Sequence, residues 1–331
     1  MIRFLSVRLS LAAITLLVAV ALVFISVRLL PNNPVLARMG QHAVPEKVAE
    51  EMAKQGWDRP VLEQLGGFLA NLLRGDLGES FINQGESVSM ELARRVPATI
   101  ELAMMATLIA LPLGIAAGIA AAVWRNGIAD YLCMTVSLLG VSIPVFFLGI
   151  ILLEIFTGLP TSRRLPTGTG FEPASGFVIL ETLLRGRFDL FLASLKHIFL
   201  PALALSTIPL SIIARVTRSS MLEVLSSDYI RTARAKGAHW LQVVLRHALP
   251  NASIPIANVA GFQIGSLLTG AVLTETVFSW PGLGRYLYSA VQWSDYTSIQ
   301  GGALVLVTVY VAANLVVDLS YVWLDPRIRL E

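Results

Sequence analysis

Six stretches of this chain run for at least about 18 residues, long enough to span a bilayer core, without an Asp, Glu, Lys or Arg. They are Leu9–Val27, Leu102–Trp124, Tyr131–Leu153, His197–Ala214, Asn251–Thr274 and Thr297–Val317. A hydrocarbon layer about 30 Å thick takes about 20 helical residues at about 1.5 Å each. Charge closes most of the windows tightly: Arg8 and Arg28, Glu101 and Arg125, Asp130 and Glu154, Lys196 and Arg215. The fifth lies between Arg246 and Glu275, and the sixth between Asp295 and Asp318. One such window can be a buried helix of a soluble protein. Six at spanning length predict an all-α, polytopic membrane protein with six transmembrane helices. Only 14% of residues are charged and 55% are hydrophobic, whereas soluble domains carry roughly a quarter charged residues.

Prolines inside the windows (Pro112, Pro144, Pro201, Pro209 and Pro255) are tolerated in spanning helices when neighbouring groups satisfy the freed carbonyls. Pro250, just before the fifth window, is expected to end the preceding loop helix. The first window follows Arg3 and Arg8 like a signal peptide. Its apolar run exceeds the roughly 7–15 residues of such segments and no small-x-small cleavage site follows, so an uncleaved anchor is expected.

The loop between the fourth and fifth windows carries Arg215, Arg218, Arg231, Arg234, Lys236 and Arg246 against Glu223 and Asp228. The positive-inside rule makes it cytoplasmic, on the same side as both termini, with Arg3, Arg8, Arg125, Arg327 and Arg329. The expected division is therefore a transmembrane helix in residues 1–30, an outer, periplasmic segment with short helices in 31–97, and a core in 98–331. That core holds five transmembrane helices and the cytoplasmic loop 215–250. In the outer segment, Val61, Leu62, Leu65, Phe68, Leu69, Leu72 and Leu73 recur at helical spacing and predict an amphipathic helix, preceded by a short one starting at Pro45. Trp280-Pro281-Gly282-Leu283-Gly284 predicts a turn, with Tyr286 and Tyr288 suited to a membrane interface.

Several chemistries are excluded. No G-x-x-x-x-G-K-[ST] phosphate loop is present, so the chain is not expected to hydrolyse ATP, and no H-E-x-x-H metal motif occurs. The histidines (His42, His197, His239 and His247) are dispersed, and the single Cys133 rules out an internal disulfide. A net charge of +3 confined to particular loops argues against a nucleic-acid partner. Ionisable residues sit at window ends, so no buried coupling-ion site supports a secondary transporter, and no convergent polar set supports a membrane enzyme. No metal or other cofactor is expected in the chain itself. Gly114 and Gly118, and Gly261 and Gly265, have the G-x-x-x-G spacing that lets helices approach closely.

In the basic loop, Ser226 or Ser227 is placed to cap a helix over Asp228–Lys236, with Asp228 in its first turn and Gly237 as a left-handed terminator. A second helix carrying Trp240, Leu241, Val243, Val244 and Leu245 follows, ending at Leu249-Pro250. Two short helices joined at a glycine form a knob suited to a groove on a soluble partner; a merely solvated positive-inside loop is the alternative.

Asp228-Tyr229-Ile230-Arg231-Thr232-Ala233-Arg234-Ala235-Lys236-Gly237, followed by Arg246-His247-Ala248-Leu249-Pro250-Asn251, resembles the E-A-A-x₃-G-x₉-I-x-L-P loop of bacterial ABC importers. Ala233, Gly237, Leu249 and Pro250 match, whereas Arg231, Thr232 and His247 depart from it in the manner of peptide permeases. Leu73-Arg74-Gly75-Asp76-Leu77-Gly78, Arg95-Val96-Pro97-Ala98-Thr99, Thr274 to Arg285 and Asp325-Pro326-Arg327-Ile328-Arg329 are similar to further signatures of that family. Together they resemble the B-type permease of the dipeptide/oligopeptide/nickel importers, the dipeptide branch most closely. The resemblance implies a type I ABC importer permease fold in the bacterial inner membrane. It also implies a homologous second permease subunit, two ATPase subunits that bind ATP and Mg, and an extracytoplasmic peptide-binding protein. Asp228, Arg231, Thr232, Ala233, Arg234, Lys236, Gly237, Leu249 and Pro250 would then couple to the ATPases. Nickel, glutathione or antimicrobial peptides remain alternative cargoes.

Overall fold

The computed structural model describes residues 2–29, 44–54, 56, 58–80 and 85–324. The Asp325-to-Arg329 signature, Arg327 and Arg329 as orientation markers, and His42 lie outside the described residues. Thirteen α-helices are described: α1 (Ile2–Arg28), α2 (Pro45–Lys54), α3 (Val61–Leu73), α4 (Val88–Val123), α5 (Ile128–Ser142), α6 (Val145–Ile155), α7 (Val178–Leu184), α8 (Phe188–Leu225), α9 (Asp228–Ala235), α10 (Trp240–Gln242), α11 (Leu249–Val277), α12 (Leu283–Gln292) and α13 (Tyr296–Leu324). A π-helical turn over Val243–Ala248 joins α10 to α11. Among the described residues there is no strand, only an isolated bridge between Glu79 and Ser87.

Among the described residues, four helices are long and apolar enough to cross a membrane alone: Ser6–Arg28, Val88–Val123, Phe188–Leu225 and Tyr296–Leu319. Two bent pairs, α5 with α6 and Trp240–Leu268 with Gly270–Val277, bring the number to six when each pair is taken as one span. All six windows are thus helical, but the third is not one straight rod. It bends by 107° at Ile143–Pro144. Pro144 has no N–H to continue the ladder and forces the residue before it out of the helical region, and Ile143 accordingly sits at φ −83°, ψ 121°. Pro112, Pro201, Pro209 and Pro255 lie inside continuous helices.

The centre of the molecule is α4 packed along α8, with α11 across both. Inside lipid this contact gains nothing from expelling water and depends on close van der Waals approach, which favours small side chains. A Cβ on Gly118 would lie 2.5 Å from the Ala214 carbonyl oxygen and from Thr217 Cβ, and one on Gly114 3.0 Å from Ile213 and the Leu210 carbonyl oxygen. On α11, a Cβ on Gly265 would meet Asn314 Oδ1 of α13 at 2.7 Å, and Gly261 is buried. One cluster of Ala98, Leu102, Ile198, Leu205, Leu268 and Trp280 fills one half of this core. A second, around Ile213, Met221, Ile230, Val243 and Val244, fills the half nearer the basic loop.

The first helix is an outrigger. It packs on α13, with Arg8 and Asp318 paired at 2.6 Å near one end. At the other end Arg28 donates to Gln64 Oε1 and Gln300 Oε1, both at 3.1 Å, while stacking on Phe24. The amphipathic α3 thereby rests against the end of α1, with Phe68 against Phe24.

Candidate functional site

The basic loop begins later than its charge suggests. Residues 215–225 stay helical as the last turns of α8, and the knob comprises α9, α10 and the π turn. The α9 helix forms at Asp228 with Ser227 extended, but neither serine caps it. Ser226 Oγ donates to the Glu223 carbonyl at 2.7 Å and Ser227 Oγ to that of Val224 at 2.6 Å, so both finish α8 instead. Gly237 terminates α9 at φ +81°. Ala238 N–H donates to the Ala233 carbonyl at 3.2 Å and Gly237 N–H to that of Arg234 at 2.9 Å, the pair of bonds that closes a Schellman turn. His239 then caps α10 by accepting from the Leu241 N–H at 3.3 Å.

One residue anchors α9. Ile230 is fully buried among Met221, Val243, Val244 and Ala248, a burial worth about 1.5–3 kcal/mol against water. The other faces point outward. Asp228 and Arg231 pair at 3.2 Å while remaining largely exposed, and Thr232, Arg234, Lys236 and Gly237 are exposed as well. Ala233 is half-buried. Beside these cations Tyr229, Trp240, Leu241 and Leu245 each expose about half their surface. Between the knob and the ends of α4 and α8 lies a cavity of about 360 Å³, with Arg125 and Arg234 on its walls beside Leu222, Trp240 and Val243.

Leu249 and Pro250 do not end the loop helix, as their place before the fifth window suggested; they open α11. Pro250 can occupy the first turn because no N–H is needed there, and the π turn accommodates it by bonding Leu249 N–H to the Val244 carbonyl. The α10 helix, the π turn and the fifth span are consequently one continuous helical piece, with α9 set off from it at Gly237.

Two buried ionic contacts, which sequence spacing gave no means of pairing, frame this machinery. On the side of the knob, Arg218 of α8 grips Asp130 of α5 with Nε at 2.5 Å and Nη2 at 2.8 Å, and Asp130 also accepts from the Asn126 N–H. On the opposite side, Glu101 of α4 holds Arg164 at 2.5 Å and the Ile179 N–H at 2.8 Å. Nearby, Glu181 accepts from Ala174 N–H and from both the hydroxyl and N–H of Ser175. The Ser175 hydroxyl, its N–H and then that of Ala174 hold the Glu181 carboxyl down at about 2, with Arg185 adding attraction.

The far end of α11 is closed by Glu275, which is completely buried. Its carboxylate accepts from Thr99 Oγ1 at 2.6 Å and from the Arg285 N–H at 3.0 Å, and Thr99 Oγ1 in turn accepts from Leu283 N–H at 2.8 Å. Trp280, also buried, donates its indole N–H to the Ala98 carbonyl at 2.9 Å. Gly282 lies so close over the carboxylate that a Cβ there would overlap it. The expected turn at Trp280–Gly284 is therefore a plug around a carboxylate. Tyr286, expected at the membrane interface, is buried and donates to Ser298, which together with Ser80 donates to Asp295.

Residues 110–330 match the profile of the binding-protein-dependent transport system inner membrane component, and residues 1–103 match its N-terminal companion. The chain belongs to this family. It is a multi-pass inner membrane component of a binding-protein-dependent (ABC) importer, its permease subunit. Among curated relatives, the di/tripeptide transport system permease protein DppB of Pseudomonas aeruginosa (strain UCBPP-PA14) is 44% identical over 99% of both chains. The dipeptide transport system permease protein DppB of Escherichia coli (strain K12) is 41% identical over 99% of both. The glutathione transport system permease protein GsiC of Salmonella paratyphi A is 39% identical over 96% of this chain and 95% of its own.

Proposed function

We propose that this permease forms half of the translocation path of an ATP-driven importer of dipeptides or short oligopeptides. A homologous second permease would supply the other half. Two ATPase subunits, which hold ATP and Mg, would engage the knob, and an extracytoplasmic binding protein would deliver the peptide. Both termini and the knob then face the cytoplasm, in keeping with the clustered arginines of the loop.

The observation that carries this reading is the form of the knob. A short helix anchored by Ile230 presents Arg231, Arg234 and Lys236 beside exposed Trp240, Leu241 and Leu245. Soluble domains that stay monomeric rarely expose aromatic and cationic groups in one patch without a partner. Near-full-length identity to peptide permeases supports the cargo class. The glutathione relative keeps one other short γ-linked peptide as a second candidate.

The test is to co-express the tagged chain with its neighbouring transport subunits, purify the assembly in detergent and identify its members. Recovery of a second permease and ATPases, followed by ATP-dependent uptake of a dipeptide over glutathione in vesicles with binding protein, is the expected result. Recovery of the chain alone, with uptake that needs no ATP, overturns it.

A further inference from the structure

A polar cavity of about 270 Å³ lies at the end of the molecule opposite the knob, between the C-terminal end of α1, the flank of α3 and the first turns of α13. Its walls include Arg28, Arg59, Glu63, Asp76, Thr297 and Gln300. Arg28 is fixed there by two side-chain amides and an aromatic ring. Gln300 is only 6% exposed, and its Nε2 has no hydrogen-bond partner among the described residues. A buried amide N–H left unpaired costs about 1–3 kcal/mol, so a donor held in this position implies an acceptor that is supplied from outside the chain.

The depth of the cavity selects the kind of acceptor. The first apolar window closes at Arg28 and the sixth opens at Thr297, so the cavity lies where the hydrocarbon ends and lipid headgroups begin. At the end of α1 and on α3, the elements that wall it, Leu29, Leu62 and Leu73 are between 78% and 90% exposed, surfaces that fit acyl chains and not water. The walls carry both signs. Arg28, Arg59 and the Gln300 amide suit an anionic phosphate, while Glu63 and Asp76 suit a cation next to it.

We propose that this cavity binds the headgroup of a zwitterionic phospholipid bearing a primary ammonium, such as phosphatidylethanolamine. Its phosphate meets Arg28, Arg59 and Gln300, and its ammonium meets Glu63 and Asp76. The bound lipid would splint α1 and α3 to α13.

The full-length chain in detergent micelles can be titrated separately with short-chain phosphatidylethanolamine, short-chain phosphatidylglycerol, inorganic phosphate and the dipeptide Ala-Ala. Binding is read as a mass adduct and a rise in Tm. Phosphatidylethanolamine is expected to bind at least about tenfold more tightly than phosphatidylglycerol, with no adduct from phosphate or dipeptide. Glu63→Gln, on an exposed face where it leaves the fold intact, should erase that preference; Gln300→Leu should weaken both lipids about tenfold. Equal binding of the two lipids by the unaltered chain, an undiminished preference in the Glu63→Gln variant, or saturable binding of phosphate or dipeptide in place of lipid would each overturn the proposal.

Discussion

The two ends of α11 handle charge in opposite ways. At the knob, Asp228, Arg231, Arg234 and Lys236 stand in solvent, and the fold holds α9 by a single apolar side chain. At the far end, Glu275 is wholly enclosed and its oxygens are committed to Thr99 and the Arg285 N–H. Removing an exposed charge costs the fold little, because water already solvates it. Removing a buried one strands every donor aimed at it. The difference teaches that two signature stretches of comparable prominence are built differently: one is enclosed by the permease's own packing, and the other is left facing solvent.

The contrast can be broken most severely at Glu275. Glu275→Ala leaves the Thr99 hydroxyl and the Arg285 N–H without an acceptor, and a loss of about 3 kcal/mol or more is expected, read as a large fall in Tm of the purified chain. If Tm holds, the plug is not what secures this end of the helix. Ile230→Ala should come next. A cost of about 2–4 kcal/mol is expected to fall on α9 alone, seen as faster hydrogen exchange over residues 228–238 while α4 and α8 stay protected. Reversing charge at Arg231, Arg234 and Lys236 together should shift stability by less than about 1 kcal/mol and yet abolish recovery of the ATPases on purification. Intact assembly in that triple variant would sink the coupling role of these residues.

The smallest effect concerns pH. Glu181 titrates near 2 in the fold and at about 4.3 in an unfolded chain. A depressed carboxyl of this kind contributes its full stability above the unfolded value and loses it as pH falls through the folded one. Protection of the Ser175 amide, corrected for intrinsic exchange, should therefore stay level from pH 7 to about 4.5 and decline from there towards 2. Glu181→Gln should remove the dependence.

The helical windows are legible in the chain because about 20 residues without charge are rare outside a bilayer. The α9 helix and its glycine stop are legible because Gly237 must take a positive φ that most residues avoid. What escapes a reading of the chain is decided by long-range geometry. Pro144 and Pro112 look alike in sequence, yet of the two only Pro144 breaks its span. Asp130 and Arg218 are 88 positions apart, and nothing local announces that they meet. Glu275 lies at a window end like Glu154 and Asp318, and its burial follows from the fold-back of residues 278–285, which no periodicity encodes. Ser226 and Ser227 have the right side chains for caps, but the carbonyls of Glu223 and Val224, one turn earlier, each take one of the hydroxyls.

The uninterrupted joint between the knob and α11 has a mechanical corollary. From Leu249 to the 52° bend after Leu268, the helix is a rod of about 30 Å at about 1.5 Å per residue. A tilt of about 10° imposed at the knob swings the elbow sideways by about 5 Å on a rod of that length, and the segment beyond it turns with the elbow towards the Glu275 plug. In engineering language the piece is a crank: a small stroke at the handle arrives at the other end as a sweep.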